Sequence, residues 1–207
     1  RISQSGELTE LESLGIELED GRLLQAARVV CSGNLTSLPP FREGRITIQD
    51  EASQLVALLL GRGDTVLDCC AAPGGKTRII AQQDPSSSIV AAELHPHRAR
   101  LLRKLVRDKN VTVVTADART LPLVAKFDRV LVDVPCSGTG TLARNPDIKW
   151  RLRSEDLADL QKRQVAILNS ALDRVAHGGK LVYASCSLEA EENESVVDNV
   201  LKDRPSF

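Results

Sequence analysis

Short apolar runs rich in β-branched residues alternate with longer helical stretches from residue 64 onward, and this alternation constrains the fold more than any other feature of the sequence. A repeat of this kind predicts a parallel sheet covered by helices. Five strands are predicted, at residues 65–70, 88–94, 111–117, 127–135 and 179–187. Helices are predicted at residues 75–83, 96–109, 155–176 and 189–202. Because the strands are almost wholly apolar, we expect helices on both faces of the sheet.

The first 45 residues do not follow this alternation. They contain a helical candidate, LTELESLG, a hairpin candidate that turns at Asp20-Gly21, and a linker candidate, SLPPFREG. An amphipathic helix from about Asp50 to Leu60 precedes the first strand. We therefore expect residues 1–45 to be the remnant of a preceding small module with its linker, and residues 46–207 to form the main domain. The chain begins at Arg1 and contains no Met, so we expect a fragment.

Composition excludes several classes of protein. With 207 residues, 42% hydrophobic and 27% charged, the chain matches one compact soluble domain with a small appendage, which we expect to be a monomer. It has neither a long apolar run nor a signal-peptide pattern, so we expect a cytoplasmic protein without a membrane partner. Its net charge of -1 gives no general argument for nucleic-acid binding. Its five cysteines lack the paired spacing of a zinc site, which predicts reduced thiols and no metal.

The segment DCCAAPGGKT, residues 68–77, joins the first predicted strand to a helix. Small residues and a Gly-Gly pair there let the backbone turn sharply and admit a ligand, although a simple tight turn is the alternative. Glu93 and Asp117 end the next two strands, at the same edge of the sheet. A carboxylate at the end of the second strand can accept both hydroxyls of a ribose, and Asp117 can accept from an exocyclic amine. Either acid alone would more often be a helix cap.

Two cysteines follow the fourth and fifth predicted strands, in DVPCSGTG and YASCS. Free cysteine is commonly a small buried hydrophobe, and we interpret Cys69 in that way. Cys31 is interpreted as structural or incidental, and Cys70 as a residue that lines the site. For Cys136 and Cys186, flanked by Ser and Gly at the ligand-binding edge of the sheet, we favour a functional role.

The segments DCCAAPGGKT, AELHPHRA, ADAR, DVPCSGTGTLARNPDIKW and YASCSLEAEEN together resemble the RsmB/Sun family, also called Fmu, of RNA cytosine carbon-5 methyltransferases. The resemblance covers about residues 45–200. It implies a class I S-adenosylmethionine-dependent methyltransferase fold, Rossmann-like and mainly parallel, with residues 46–207 as the catalytic domain. That fold normally ends in an antiparallel strand pair, which this sequence lacks after its fifth strand. The resemblance also implies S-adenosylmethionine as cofactor and RNA as partner, with 16S ribosomal RNA first.

The resemblance assigns roles to particular residues. It implies that Cys186 is the nucleophile, that Cys136 serves product release, and that Asp133 lies near both the cofactor and the target base. The implied cofactor contacts, with Arg98 as a brace for the loop, are Cys70, Ala71, Ala72, Pro73, Gly74, Gly75, Lys76, Glu93, Arg98, Asp117 and Asp133.

Carbon 5 of cytosine becomes nucleophilic only after a thiolate adds at carbon 6, which is the step that Cys186 would supply. Asp133 could donate a proton or hydrogen bond at ring N3, and Cys136 could remove the carbon-5 proton. The target base must leave its helix, so RNA contacts are needed. We expect them on a rim formed by Arg144, Lys149, Trp150, Arg151 and Arg153.

Three alternatives remain open at this point. The same reaction on transfer RNA fits the sequence equally well. A ribosome-assembly RNA-binding protein that keeps the fold without turnover is disfavoured by the intact set of Cys186, Cys136 and Asp133. An amino-methylating enzyme is disfavoured because a cysteine, rather than a second proline and an aromatic residue, follows Pro135.

Overall fold

The computed structural model describes residues 5–43, 45–205 and 207. The chain divides into two compact units, with the boundary between Leu59 and Leu60. The amphipathic helix that precedes the first strand of the main sheet therefore belongs to the first unit.

The first unit is a small α/β arrangement. Its elements are α1 (Ser5–Ser13), β1 (Glu17–Asp20), β2 (Arg28–Ser32), a 3-10 turn (Leu35–Ser37), α2 (Pro39–Arg42) and α3 (Glu51–Leu59). β1 and β2 pair antiparallel, as the sequence predicted. Leu11, Ile16, Leu35 and Ile46 form its buried core.

Two local predictions for this unit were wrong. The hairpin does not turn tightly at Asp20-Gly21, because residues 21–27 separate its strands. Glu51 holds that connection by accepting the amides of Leu23 and Leu24, both at 2.7 Å. The segment SLPPFREG is not a plain linker either. Its Pro-Pro pair begins α2, where a missing amide proton costs nothing.

The second unit contains the main sheet. Its elements are β3 (Thr65–Asp68), α4 (Gly75–Gln83), β4 (Ser88–Glu93), α5 (Pro96–Leu105), β5 (Val111–Thr115), β6 (Phe127–Asp133), α6 (Ile148–Arg151), α7 (Ser154–Leu172), β7 (Val175–Ala184) and α8 (Glu194–Leu201), with 3-10 turns at Ala118–Thr120, Thr139–Thr141 and Ala190–Glu192.

The sheet has the strand order β5-β4-β3-β6-β7, and every neighbouring pair is parallel. Helices cover both of its faces. Ala91 of β4 packs with Leu102 of α5, whereas the next residue, Ala92, belongs to the cluster that contains Ile167 of α7. Successive side chains of a strand point to opposite faces, so the two helices lie on opposite sides. The predicted Rossmann-like parallel sheet is confirmed.

Several element boundaries differ from the prediction. β7 begins at Val175, and its pairing with β6 is irregular around Gly178, whose φ is 71°. α5 ends at Leu105 because Val106 turns into extended backbone and is buried. The predicted last helix is divided at Asn193, and α7 begins at Ser154, one residue before the predicted start, with Arg153 as its N-cap. Within residues 60–205 and 207, the sheet contains parallel pairs only.

The order of the strands positions the ligand crevice. From β3 the chain runs outward to β5 on one side and then returns to β6 and β7 on the other, so the direction of winding reverses between β3 and β6. In open α/β sheets, ligands bind outside the carboxyl ends of the strands at such a reversal. Among the described residues, no helix is both long enough and apolar enough to cross a bilayer.

Candidate active site

The loop after β3 and the end of β6 face each other across the reversal point. Cys69 and Ala71 continue the ladders of the neighbouring strands, donating their amides to Leu131 O and Ala92 O, both at 2.9 Å. Lys76, in the first turn of α4, donates from Nζ to Asp133 Oδ2 at 2.7 Å. The structure therefore joins Lys76 and Asp133, which the sequence placed 57 residues apart.

Gly74 has a different reason for being glycine than the one expected from the sequence. Its φ is 112°, and a Cβ at this position would meet Val106 and Leu102 at 2.5 and 2.6 Å. The position is thus required for packing against α5 and the residue that follows it, in addition to any approach of a ligand to the loop.

Asp68 is a buried carboxyl at the end of β3 that the sequence analysis did not single out. Its Oδ2 accepts from Thr77 Oγ1 at 2.7 Å, while its Oδ1 is buried without a hydrogen-bond partner in the described part of the chain. Burial raises the pKa of Asp68 to about 6, and the charge of Asp133 adds to the rise. An unpaired buried oxygen is costly, so it is a natural place for a donor group of a ligand.

Glu93, at the end of β4, is almost wholly buried. Its Oε1 accepts the amide of His95 at 2.9 Å and lies 3.8 Å from Nη1 of Arg98. Arg98 also donates to the carbonyl of Ala72 at 3.0 Å, so it connects Glu93 to the loop after β3.

Asp117 is engaged by a neighbour. It caps the 3-10 turn Ala118–Thr120 by accepting the amide of Arg119, and the Arg119 guanidinium lies 2.6 Å from its Oδ2. The Arg119 side chain lowers the pKa of Asp117. Asp117 is therefore a helix cap in this structure, which was the alternative interpretation. Its contact to an exocyclic amine of a ligand remains a prediction.

The two cysteines at the strand ends lie next to each other. The amide of Cys186 donates to Sγ of Cys136 at 3.2 Å. Cys186 is exposed, and Cys136 is partly buried. Cys69, in contrast, is buried, and burial raises its pKa well above the ordinary value. Burial also raises the pKa of Cys70, so neither thiol of the DCC segment is suited to be a nucleophile.

Two thiols in contact titrate as a pair that carries a single charge over a wide pH range. A hydrogen bond from Cys136 lowers the pKa of Cys186 to about 7, and Lys76 contributes to the lowering. The same hydrogen bond, together with burial, raises the pKa of Cys136. Near neutral pH the negative charge therefore resides on the exposed thiol, and Cys136 is the neutral donor to it.

This difference predicts how each thiol reacts with iodoacetamide as the pH changes. Since alkylation requires the thiolate, modification of Cys186 should accelerate as the pH rises from 6 to 8 and level off above that, with a midpoint near the pKa of about 7. Cys136→Ala removes the hydrogen-bond donor, so it should move the midpoint upward. The measurement is the alkylation rate of each cysteine by mass spectrometry.

Cys31 is the internal control for this titration. It is exposed, and partial desolvation together with Glu19 raises its pKa, so its alkylation rate should still be rising at pH 9, where that of Cys186 has levelled off. A midpoint for Cys186 that coincides with the midpoint for Cys31 would contradict the assignment of the charge.

The loops that carry the cysteines are joined by direct contacts. Gly140 donates its amide to the carbonyl of Cys186 at 3.0 Å, and a Cβ at position 140 would meet that oxygen at 2.8 Å. Leu188 donates its amide to Thr139 Oγ1 at 2.9 Å. The close approach of the two loops therefore requires glycine at position 140, which explains part of the SGTG sequence after Cys136.

Sequence reasoning missed three polar residues behind these loops: Gln164, Glu192 and the half-buried Asn193. Gln164 and Glu192 are fully buried, and their side chains hydrogen bond to each other at 2.8 Å. Glu192 and Asn193 stand in the YASCSLEAEEN segment, but their spacing from Cys186 resembles that of an ordinary helix start. The burial of Glu192 and the hydrogen bonds of Asn193 mark them, and neither is visible in the sequence.

The predicted RNA rim is exposed and lies beside the cysteines. Trp150 is 83% exposed, and Lys149 Nζ lies 5.5 Å from its ring centroid. Arg151 pairs with Asp147 at 3.2 Å. Arg144 and Arg153 are also exposed.

A cavity of about 410 Å³ separates α6 and α7 from the first cysteine loop. It contains Cys136 but not Cys186, Asp133 or Lys76, so it adjoins the paired thiols rather than enclosing them. Arg163, which the sequence analysis did not select, is exposed at its wall. The cavity is lined by Cys136, Ser137, Ile148, Arg151, Leu152, Asp156, Asp159, Leu160 and Arg163.

In the described ranges, no three His, Cys, Asp or Glu side chains come together as a metal site would require. The chemistry of the crevice is instead that of carboxylates, one ammonium group and two thiols.

The strand order, the helices on both faces and the acidic residues at the strand ends define a class I, Rossmann-like methyltransferase fold. A family model described as "16S rRNA methyltransferase RsmB/F" matches residues 55–207. The chain belongs to this RsmB/F family.

Individual relatives agree with this placement. The chain is 36% identical to the "Probable ribosomal RNA small subunit methyltransferase B" of Bacillus subtilis (strain 168), over 97% of this chain and 47% of that protein. A methyltransferase homolog protein from Pyrococcus horikoshii superposes with a TM-score of 0.83 and 30% identity, over 98% of this chain and 67% of that one. NSun6 from Pyrococcus horikoshii, solved with SFG, has a TM-score of 0.75 and 32% identity, over 86% of this chain and 50% of that one. The chain thus spans about half the length of the curated relative.

Proposed function

We propose that this chain methylates carbon 5 of cytosine in RNA, with small-subunit ribosomal RNA as the first substrate, through a covalent bond to Cys186. The observation that carries the proposal is the hydrogen bond from the amide of Cys186 to Sγ of Cys136 at 3.2 Å, beside the Lys76–Asp133 pair. In this proposal residues 46–207 are the catalytic domain, and residues 1–45 are the remnant of another module. An enzyme that acts on ribosomal RNA works in the compartment that contains this RNA, so we propose a cytoplasmic protein. We also propose that it is a monomer.

The residues around the loop after β3 fit the cofactor of the methyltransferase class, S-adenosylmethionine. When bound, that cofactor supplies an electrophilic methyl group on a sulfonium. The unpaired buried oxygen of Asp68 suits an amino group, and the carboxylate of Glu93 at the end of β4 suits a ribose hydroxyl. Residues 70–76, which connect β3 to α4, are assigned to the same cofactor. Arg98 fixes the loop by its bond to Ala72.

Cys186 begins the chemistry on the base. Its thiolate adds to carbon 6 of the cytosine, and the electron pair of the 5,6 double bond becomes available at carbon 5, which then takes the methyl group. The lowered pKa of Cys186, about 7, keeps a thiolate available near neutral pH. Without this addition carbon 5 is too weak a nucleophile.

The Lys76–Asp133 pair recognises the Watson–Crick edge of the base. Cytosine presents an acceptor at N3 and a donor at its exocyclic N4. Asp133 accepts from N4, and Lys76, hydrogen-bonded to Asp133, supplies the donor at N3. The sequence analysis gave that proton to Asp133 alone, but a carboxylate that accepts from an ammonium group acts more readily as the acceptor.

Cys136 completes the cycle. After methyl transfer, carbon 5 still carries its proton, and the aromatic ring returns only when this proton leaves and the sulfur of Cys186 departs from carbon 6 with its electron pair. Cys136 lies against Cys186 and can serve as the base for that proton. The charge and hydrogen bond of the free Cys186 thiolate are what raise the pKa of Cys136. Once the sulfur of Cys186 is bonded to carbon 6 and uncharged, Cys136 can lose its proton to solvent and accept the carbon-5 proton.

RNA contacts are assigned to the exposed rim around α6. Arg144, Lys149, Arg151 and Arg153 supply positive charge, and Trp150 supplies a stacking surface. Extrusion of the target base costs a few kcal/mol, which these contacts offset.

The test is methylation of under-methylated small-subunit ribosomal RNA with methyl-labelled cofactor, followed by nucleoside analysis. We expect the label in 5-methylcytidine. A parallel reaction with total transfer RNA distinguishes the substrates. If transfer RNA is labelled preferentially, the proposed reaction stands but its substrate is transfer RNA rather than ribosomal RNA. Label at a nitrogen or at a ribose would refute the reaction.

A further inference from the structure

Cys136 is held from both sides by a buried polar pair. Glu192 is 0% exposed, and its Oε1 accepts the amide of Ser137 at 2.9 Å. Gln164, also 0% exposed, donates to the same oxygen at 2.8 Å and to the carbonyl of Pro135 at 3.0 Å. The residues before and after Cys136 are therefore both fixed by the Gln164–Glu192 pair.

Cys186 is held in the same manner by the next residue along the chain. Oδ1 of Asn193 accepts from Ser185 Oγ at 2.7 Å. Nδ2 of Asn193 donates to the carbonyls of Ser187 at 3.1 Å and Glu189 at 2.9 Å. The residues before and after Cys186 are thus both fixed by one carboxamide.

The backbone between these two side chains is itself anchored. Tyr183, on β7, donates its hydroxyl to the carbonyl of Glu192 at 2.7 Å. Asn193 has φ -115° and ψ -101°, so it interrupts the helical path between the 3-10 turn and α8. This interruption gives the two adjacent side chains different partners: Glu192 holds Ser137 beside Cys136 and also accepts from Ser187, whereas Asn193 binds the Cys186 side.

Glu192 keeps its charge in this setting. Burial favours its neutral form, but hydrogen bonds from Ser137, Ser187 and Gln164 hold the pKa of Glu192 below its ordinary value. An acceptor oxygen that several buried donors share fixes the direction of each bond, because its displacement leaves those donors without a partner.

We propose that Glu192 and Asn193 are positioning residues that set the distance between the two thiols, Glu192 acting through Cys136 and Asn193 through Cys186. The proposal rests on the proposed function and deepens it. It assigns each residue to a different half of the reaction: Asn193 to formation of the covalent adduct, and Glu192 to its release. A merely structural role would weaken both halves in the same proportion.

The first experiment measures the two halves separately in the full chain with ribosomal RNA. Glu192→Ala should slow release of the adduct about tenfold. Because the adduct then accumulates, the fraction of enzyme bound to RNA on a denaturing gel rises, and kcat and KM fall together. Asn193→Ala should slow adduct formation about tenfold without raising that fraction. Glu192→Gln keeps an oxygen at the Oε1 position and should return both rates to within about twofold of the wild type.

The second experiment needs no RNA. Dibromobimane, a short reagent that joins two thiols, should cross-link Cys136 to Cys186 in the wild type. Glu192→Ala and Asn193→Ala should form the cross-link about tenfold more slowly, because misplaced groups lose reactivity steeply with distance. Glu189→Ala is the matched control in both experiments, since Glu189 contributes only backbone atoms to this network. Circular dichroism establishes that each variant is folded.

The proposal is overturned if both alanine variants cross-link at the wild-type rate, or if they slow adduct formation and release in equal proportion. It is also overturned if Glu192→Gln is as impaired as Glu192→Ala, because charge rather than placement would then be what matters. If the wild type forms no adduct with any RNA, the proposed function fails, and the cross-linking rates still decide the positioning role.

Discussion

Replacing Cys186 by Ala is expected to abolish methyl transfer to RNA while cofactor binding survives. Removal of a covalent nucleophile commonly lowers turnover by roughly 10³-fold or more. The loss should be this large because no other group near Asp133 can take its place: Cys136 is neutral, and Cys70 is buried with a raised pKa. The measurements are labelled methyl incorporation into ribosomal RNA and calorimetric titration with the cofactor.

Cys31→Ala provides the matched control for this loss. Cys31 is an exposed cysteine of the first unit, so its replacement should leave both measurements at the wild-type level. If Cys186→Ala retained more than about a tenth of the activity, the nucleophile would have to be another residue. If instead cofactor affinity fell in parallel with activity, the effect would be on the fold of the crevice rather than on the chemistry.

The sheet and the placement of the thiols could be predicted from the sequence. Five apolar runs separated by helical stretches allow only a few topologies, and a parallel sheet brings all carboxyl ends of its strands to one edge. Cys136 and Cys186 each follow a strand directly, so adjacent strands β6 and β7 place them side by side. The alternation of strands and helices, together with the rule that parallel strands end at one edge of the sheet, was sufficient to predict that the two thiols lie at the same edge.

The groups that hold the thiols could not be predicted, because their contacts join distant parts of the chain. Ser137 and Glu192 are 55 residues apart, and Pro135 and Gln164 are 29 apart. In the sequence Glu192 is one acid in LEAEEN, a segment typical of the exposed start of a helix. Its burial depends on the packing of Val196 and Val200 of α8 against Leu168 and Leu172 of α7.

Asp117 and Arg163 are two further residues whose surroundings the sequence did not reveal. The sequence places Asp117 at the edge where ligands bind, but a neighbour two residues away, Arg119, pairs with its carboxylate. Arg163 lies in the middle of a long helix whose charges are typical of a solvated face, yet its position on α7 brings it to the cavity beside Cys136. The side-chain conformation of Arg119 determines whether Asp117 is paired. The helical phase of α7 determines that Arg163 faces the cavity.

Replacing Cys136 by Ala is expected to trap the enzyme on its RNA. Loss of a general base slows its step by roughly 10²-fold or more, so the methylated adduct should form and then fail to eliminate Cys186. The trapped species appears as a band of reduced mobility on a denaturing gel that contains both RNA and protein. The same substitution removes the hydrogen bond that lowers the pKa of Cys186, so adduct formation itself becomes slow at neutral pH. The reaction should therefore be run above pH 9, where an ordinary thiol is ionised.

The dependence of this trapping on pH separates two roles for Cys136 that a single assay would merge. If Cys136 serves both to lower the pKa of Cys186 and to remove the carbon-5 proton, the Cys136→Ala adduct should accumulate slowly at pH 7 and rapidly above pH 9, and it should persist at both. The double variant Cys136→Ala with Cys186→Ala should give no adduct at any pH, since the sulfur that bonds to carbon 6 is gone. An adduct that accumulates in Cys186→Ala instead would exchange the two assignments, because the attacking thiol would then be Cys136.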